Sequence, residues 1–190
     1  MGLVDKDQDA ELMIRLRDHG DSGAFEQLYK RFTPPLISFL VRMVRDAARA
    51  EELAQDVFLR IYQARDRYEP RAKFSTYLFG IASNLALNDL DRAHRKRERP
   101  LETMPGSAEP IDDRPGLADE IEARLTGEKI ERALAALPAR QRAALLMRSS
   151  HGLSYAEIAD ELGASESSVK SLLHRARAEL LSQLKEDAPS

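Results

Sequence analysis

Apolar residues recur every three or four positions along most of the chain, which is the spacing of one helix face. No stretch alternates apolar and polar residues for long enough to predict a strand. The pattern therefore predicts an all-α protein. The predicted helices lie around residues 12–16, 25–33, 36–44, 53–64, 75–97, 130–137 and 141–147, followed by two more after residue 152.

Two adjacent prolines predict a break in the N-terminal half. Proline has no backbone N–H and disfavours helical backbone in the residue before it. We therefore expect one helix to end at Thr33, before Pro34, and the next helix to begin with Pro35 in its first turn.

The most specific pattern lies in the C-terminal part. Two helices that cross through a short turn need a small residue at their contact and a left-handed residue in the turn, and Ala159 and Gly163 occupy these positions. Ser154 and Glu157 predict a capping box on the first helix, and Ser165 predicts a cap on the second. The positions predicted to face inward are Ile158, Leu162, Val169 and Leu172. This pattern predicts a helix-turn-helix, and the alternative is an ordinary helical hairpin.

In a helix-turn-helix the second helix enters the major groove of DNA, where its outward residues contact bases and phosphates. Lys170 can donate to guanine, while Glu166 can accept from cytosine or interact with the helix dipole. Arg175 and Arg177 are placed to hold phosphates. The predicted DNA-binding residues of this helix are Glu166, Ser167, Lys170, Ser171, His174, Arg175 and Arg177.

Composition narrows the possible functions. The 190 residues include no cysteine, which excludes disulfides, thiolate metal sites and cysteine nucleophiles. The histidines lack the spacing of a zinc site, and no phosphate-binding glycine loop occurs, so we predict no metal, no cofactor and no enzymatic activity. A net charge of −3 argues against general polyanion binding. No membrane-spanning segment is predicted, and we expect a cytoplasmic protein.

A linker is predicted in the middle of the chain. Prolines recur there at intervals of five residues, from Pro100 to Pro115, which forbids regular structure. Nine acidic residues stand against three basic ones between positions 101 and 131. The simplest interpretation is a flexible, solvated acidic spacer.

Five stretches that span nearly the whole chain form a further pattern. They are residues 24–29 (AFEQLY), 51–59 (EELAQDVFL), 74–82 (FSTYLFGIA) and 152–159 (GLSYAEIA), together with Ala135, Leu137, Pro138, Gln141 and Arg142. In this order and spacing they resemble the extracytoplasmic-function (ECF) sigma factors of bacterial RNA polymerase. The resemblance implies two small helical domains, residues 10–98 as sigma region 2 and residues 128–185 as sigma region 4, joined by a linker over residues 99–127.

For the helix around residue 52, the resemblance implies a docking surface for the coiled coil of the polymerase β′ subunit. Glu52, Gln55 and Asp56 lie behind an apolar stripe that includes Leu53 and Val57. Acidic and amide groups can pair there with arginines of a partner helix. A solvated amphipathic face is the alternative.

For residues 74–91 the resemblance implies recognition and opening of the promoter −10 element, with residues 66–73 as the loop that captures a base. Bases that leave the stack need flat walls and polar edges. Phe74 and Tyr77 offer stacking surface, although core packing is the alternative for both rings. Asn84 and Asn88 can hydrogen-bond base edges. The basic residues predicted to contact phosphates, or else to form a solvated face, are Arg92, Arg95 and Lys96.

The resemblance implies core RNA polymerase as a partner, through its β′ coiled coil and its β subunit, together with promoter DNA and an anti-sigma factor. The acidic linker is expected to pass through the polymerase near the RNA path. The free factor should bind DNA weakly, and promoter binding should arise when polymerase spaces the two domains. The alternative function is a stand-alone helix-turn-helix regulator that binds DNA without docking on polymerase.

Overall fold

The computed structural model describes residues 7–97 and 127–186, and all regular structure in these ranges is helical. This confirms the predicted all-α fold. No helix in these ranges is long and apolar enough to cross a lipid bilayer. Apart from Gly127, the predicted linker lies outside the described residues. The α-helices are α1 (Gln8–His19), α2 (Ser22–Val44), α3 (Ala47–Gln63), α4 (Phe74–Arg97), α5 (Gly127–Ala136), α6 (Ala139–His151), α7 (Tyr155–Leu162) and α8 (Glu166–Glu186).

Helix α2 runs through both prolines, so the predicted end at Thr33 is wrong. Pro34 and Pro35 are exposed, and water can therefore hydrogen-bond to the carbonyls that lose their helical donors. The opposite side of α2 packs against α1, α3 and α4. Its buried side chains are Ala24, Leu28, Phe32, Leu36, Phe39, Leu40 and Met43. Tertiary packing thus outweighs the local cost of the two prolines.

Asp7, Asp21 and Asp46 cap α1, α2 and α3, and Asp7 also caps α4. Asp21 and Asp46 each accept a hydrogen bond from a backbone N–H in the first turn of α2 and α3. Asp7 Oδ1 accepts from Asp9 N at 3.2 Å, and Asp7 Oδ2 accepts from Phe74 N at 2.6 Å. Because Phe74 begins α4, one side chain fixes the start of α1 against the start of α4.

Helix α4 occupies the centre of the fold. It contacts α1, α2 and α3 on one side and α6 and α7 on the other. Asn84 is the only exposed residue between positions 74 and 87. The helix proposed from sequence to open DNA is therefore mostly a core element, with its exposed surface concentrated towards its C-terminal half.

The helix-turn-helix is confirmed by its caps and its turn. Ser154 N donates to Glu157 Oε2 at 2.7 Å, and Glu157 N donates to Ser154 Oγ at 3.2 Å, which is the predicted capping box at the start of α7. Gly163 ends α7 in the left-handed region, with φ of 57°. Ser165 Oγ accepts from Ser168 N at 3.2 Å at the start of α8.

The inward face of α8 differs by one residue from the prediction. Val169 is buried as predicted, as are Ile158 and Leu162 on α7, but Leu172 is only partly buried. Leu173 is 1% exposed and takes the inward place instead. From Val169 the inward residues continue at Leu173, Ala176 and Leu180, in steps of four, three and four.

The two groups of helices pack against each other. We call α1–α4 the N-terminal module and α5–α8 the C-terminal module. Helices α5 and α6 contact α2, and α6 and α7 contact α4, so that one hydrophobic core continues from one module into the other. The sequence patterns predicted the two modules and not the contact between them.

Candidate nucleic-acid and polymerase interfaces

Helix α8 presents a polar, accessible face. All the residues predicted to bind DNA in the C-terminal module lie on this helix. Ser171 and Arg177 are partly exposed. The fully exposed members are Glu166, Ser167, Lys170, His174 and Arg175. The structure thus brings these side chains together on a capped helix that begins directly after the turn.

Contacts within the C-terminal module orient two of these side chains. The Tyr155 ring centroid lies 5.8 Å from Lys170 Nζ and 5.0 Å from Arg148 Cζ, so that two cations share one aromatic ring. Ser171 Oγ donates to Ser167 O at 3.0 Å, which engages its proton with the helix backbone. The sequence reasoning did not identify Tyr155 as a neighbour of these residues, because the sequence does not show which cations from other helices meet its ring.

One face of α4 carries exposed polar residues, which we call the α4 polar row. Asn84, Asn88, Arg92 and Arg95 follow each other at helical spacing, and all four are exposed. Lys96 also belongs to α4, but its side chain lies outside those described. Amide groups followed by guanidinium groups form a surface that can contact first base edges and then phosphates.

The aromatic residues that precede this row have different environments. Phe74 is fully buried, with its ring centroid 5.2 Å from that of Phe32. It belongs to the core, the alternative stated above, and offers no surface for stacking. Tyr77 is partly buried, and its ring centroid lies 5.4 Å from that of Tyr68. Burial raises the pKa of Tyr68 to about 12 and raises the pKa of Tyr77, so both phenols keep their protons at neutral pH.

A cavity of about 430 Å³, which we call the loop cavity, opens beside Tyr77. Its wall is formed by the loop between α3 and α4, and Glu161 from α7 completes it. Arg17 Nη1 donates to Tyr68 O at 2.8 Å, which attaches this loop to α1. The volume is in the range of small-ligand pockets. Within the described ranges no cluster of His, Asp or Glu is placed to hold a metal ion.

Glu52, Gln55 and Asp56 are all exposed on α3. Arg49 joins this surface to α4, because its Nε and Nη2 donate to Asp89 Oδ1 at 3.0 and 2.6 Å while its Nη1 donates to Glu52. The two carboxylates raise the pKa of Arg49 above its ordinary value. Glu52 is therefore already paired with a cation of its own chain, which the sequence did not indicate.

Exposed apolar side chains surround the polar residues of α3. Tyr29, Leu59 and Tyr62 are 41%, 53% and 42% exposed. The sequence reasoning missed them, although Leu59 follows Gln55 by four residues and so falls on the polar side of the helix. Large apolar groups on an otherwise polar helix face are typical of a protein interface.

Two family models match this chain. The model for Sigma-70 region 2 matches residues 28–96, and the model for Sigma-70, region 4 matches residues 127–180. The chain is also 34% identical to the ECF RNA polymerase sigma factor RpoE of Cereibacter sphaeroides over 167 residues, which are 87% of this chain and 88% of that protein. The chain belongs to the ECF sigma factors.

Further relatives match both modules of this sigma factor. CarQ, an RNA polymerase sigma factor of Myxococcus xanthus, is 35% identical over 168 residues, covering 86% of this chain and 90% of CarQ. The structure of CnrH in complex with the cytosolic domain of CnrY aligns with a TM-score of 0.68 and 25% identity, over 96% of this chain and all of CnrH. This sigma factor therefore directs RNA polymerase to promoters, and the stand-alone regulator considered above is excluded.

Proposed function

We propose that the two modules recognise separate promoter elements, residues 10–98 acting on the −10 element and residues 128–185 on the −35 element. The α4 polar row is the observation that supports this division best. Asn84 is the only exposed residue in the first half of α4, and the row continues with Asn88, Arg92 and Arg95. A line of exposed amide and basic side chains on an otherwise buried helix is a surface suited to a polar partner.

At the −10 element, we assign the base contacts to Tyr77, Asn84 and Asn88. A base that leaves the duplex can enter the loop cavity beside Tyr77, while the two amides hydrogen-bond exposed base edges. Arg92, Arg95 and Lys96 lie further along α4 and neutralise the phosphates of the same strand. Phe74 acts indirectly, by supporting Tyr77 from the core.

At the −35 element, we assign the contacts to the exposed face of α8. Lys170 and Glu166 stand at the beginning of the helix, where base edges are reached in this motif. Ser167 and Ser171 lie beside them, with one hydroxyl held by the backbone. We assign the phosphate contacts to the basic residues of the following turns, which are His174, Arg175 and Arg177.

We assign docking on polymerase to α3. Glu52, Gln55 and Asp56 supply carboxylate and amide groups for arginines of the β′ coiled coil. Leu59 and Tyr62 extend this surface with apolar area, which supplies most of the binding energy at protein interfaces. The C-terminal module would contact the β subunit, so that polymerase sets the distance between the modules.

Other partners and roles follow from the family. The structure of RpoE from Bartonella quintana, in complex with the anti-sigma factor NepR, aligns with a TM-score of 0.65 and 25% identity, over 86% of this chain and 98% of RpoE. We infer that an anti-sigma factor also binds this chain. The factor contributes binding energy for strand opening in the cytoplasm, while polymerase carries out the chemistry without a nucleotide bound to the factor.

The test is transcription reconstituted with core polymerase. Replacing Asn84 and Asn88 by alanine should reduce promoter opening by about tenfold or more, since each base contact is worth about 1–3 kcal/mol. Retention of the variant by polymerase should not change. Gln8→Ala, which removes an exposed amide from α1, is the matched control. Equal opening by the double variant and the control would contradict the assignment of α4.

A further inference from the structure

Helix α1 and its cap hold the loop between α3 and α4 at two points. Arg17 Nη1 donates to Tyr68 O at 2.8 Å within the loop, and Asp7 Oδ2 accepts from Phe74 N at 2.6 Å where α4 begins. The residues between these two points, 69–73, are all exposed. The exposed part of the loop is therefore a short stretch that lies between two hydrogen bonds to the same element.

Asp18 fixes the direction of the Arg17 side chain. Its carboxylate accepts from Arg17 Nε at 2.6 Å and from Arg17 Nη2 at 3.1 Å. A guanidinium presents its donors in one plane, so two bonds along one edge determine where the remaining nitrogen points. The bond from Arg17 Nη1 to Tyr68 O is thus made by a group whose orientation is already set.

Tyr68 connects this bond to the loop cavity. The residue is 5% exposed, and its ring centroid lies 5.4 Å from that of Tyr77 and 6.5 Å from that of Phe74. Tyr68 and Tyr77 both line the cavity. The Tyr68 hydroxyl finds no hydrogen-bond partner among the described residues, whereas the Tyr68 backbone carbonyl accepts from Arg17. A shift of that carbonyl would therefore move two aromatic rings of the cavity wall.

We propose that Arg17 is a positioning residue for base capture, which fixes the carbonyl of Tyr68 and thereby sets the shape of the loop cavity and the base that it accepts. The inference rests on the proposed function, because it concerns the cavity assigned there to a base of the −10 element. It adds a residue of α1, which touches neither the cavity nor the α4 polar row.

A held cavity wall has two effects on binding. A wall that is in place before the base arrives has little ordering cost on binding, and a wall that does not yield excludes bases of the wrong shape. Loss of Arg17 should therefore reduce the discrimination between bases at the position that enters the cavity. Preferences at the positions that contact Asn84 and Asn88 should remain.

The test is a selection of single-stranded DNA by the complex of the full-length factor with core polymerase. The probe is a library of oligonucleotides with a randomised segment, and sequencing of the retained molecules gives the preference for each base at each position. Arg17→Met removes all three hydrogen bonds of the guanidinium and keeps a long, flexible side chain. It should reduce the base preference by about fivefold or more at one position only.

Arg15→Met is the matched control. Arg15 lies on the same helix and also pairs with an aspartate, because its Nη2 lies 2.6 Å from Asp21 Oδ2, but this partner caps α2 and does not belong to the loop. Arg15→Met should keep the wild-type preference at every position. Arg17→Lys can still donate one hydrogen bond to Tyr68 O and should retain part of the preference that Arg17→Met loses.

Two outcomes would overturn the role of Arg17. One is an unchanged preference at every position in Arg17→Met. The other is a loss spread over all positions, or an equal loss in Arg15→Met, which a general loss of stability would produce. If Arg17→Met does not fold, Arg17→Lys must show a smaller loss confined to one position. If the wild-type complex selects no sequence at all, the proposed function itself is wrong, and that result is distinct from a selection that Arg17 does not influence.

Discussion

Asp7 is the residue on which the start of the fold depends most. It caps α1 and α4 together, whereas Asp46 caps only α3. A lost cap costs about 0.5–2 kcal/mol. We therefore expect Asp7→Ala to lower the free energy of urea unfolding by about 2 kcal/mol and Asp46→Ala by about 1 kcal/mol. A smaller loss from Asp7→Ala than from Asp46→Ala would show that the tie to Phe74 does not contribute.

His151 should make the stability of the protein sensitive to acid. Burial, together with the charge of Arg42, lowers the pKa of His151 from 6.5 to about 4. The unfolded chain binds a proton at His151 at higher pH than the folded chain does. The stability that depends on a neutral His151 is therefore fully present above pH 6.5 and is lost as the pH falls towards 4.

The His151 ring stacks on Phe79 of α4 with the ring centroids 3.4 Å apart. His151→Phe keeps an aromatic ring on Phe79 but does not titrate, so it isolates the size of this effect. Wild type should lose about 2–3 kcal/mol more than the variant in urea unfolding between pH 7 and pH 4. Other titrating groups contribute equally to both proteins. Parallel pH profiles would mean that the pKa of His151 is the same in the folded and the unfolded chain.

At the scale of the helix, α2 offers a test of how packing overrides local preference. Pro34 and Pro35 are exposed, and each removes a hydrogen bond from the helix. Replacing both by alanine should therefore raise the free energy of unfolding by about 2 kcal/mol or more. If the double variant is less stable than wild type, the prolines bend α2 into the shape that its buried face needs.

Substitutions on helix α8 should distinguish base recognition from phosphate binding. Lys170→Ala should change the preferred −35 sequence, because its ammonium group faces base edges in the proposed complex. Arg175→Ala should weaken binding to all promoter sequences alike. It should also reduce the slope of log K against log salt concentration by about one. Both effects are measured by promoter binding of the polymerase complex at several salt concentrations. Identical effects of the two substitutions would contradict the division of roles.

The elements that the sequence predicted well are those with local causes. The capping box at Ser154, the left-handed turn at Gly163 and the cap at Ser165 each depend on residues within a few positions of one another. The prediction at Thr33 was wrong because the buried row of α2 gains its energy from other helices. Leu172 was predicted to face inward where Leu173 does, because a helical period of 3.6 does not determine whether a single step is three or four residues.

At the scale of the whole molecule, the sequence could not predict the contact between the modules. Gly80 of α4 lies against Glu161 of α7 although they stand 81 positions apart, and neither residue type signals the other. Arg142 was part of a motif, but its partners are backbone carbonyls of α2, which carry no sequence signature. The residues of the predicted sites lie on the expected helices, whereas the contribution of Glu161 to the wall of the loop cavity follows only from the three-dimensional arrangement.

Because one core continues through both modules, we expect the described helices to unfold in a single calorimetric transition. Arg142→Met should destabilise the protein by about 1–3 kcal/mol, since it leaves buried carbonyls without donors. It should also divide unfolding into two transitions, one for each module. A single transition in the variant would show that the apolar contacts alone couple the modules.

The ring of His151 on Phe79 has a consequence for the supply of this factor in the cell. When the modules separate to recognise the two proposed promoter elements, both rings and the apolar side chains around them become exposed to solvent. Exposed apolar surface of this kind is bound by chaperones and proteases. A molecule whose modules have separated then has a limited lifetime in which to be captured by polymerase. The output of the genes it serves would follow the speed of that capture as closely as the rate of synthesis.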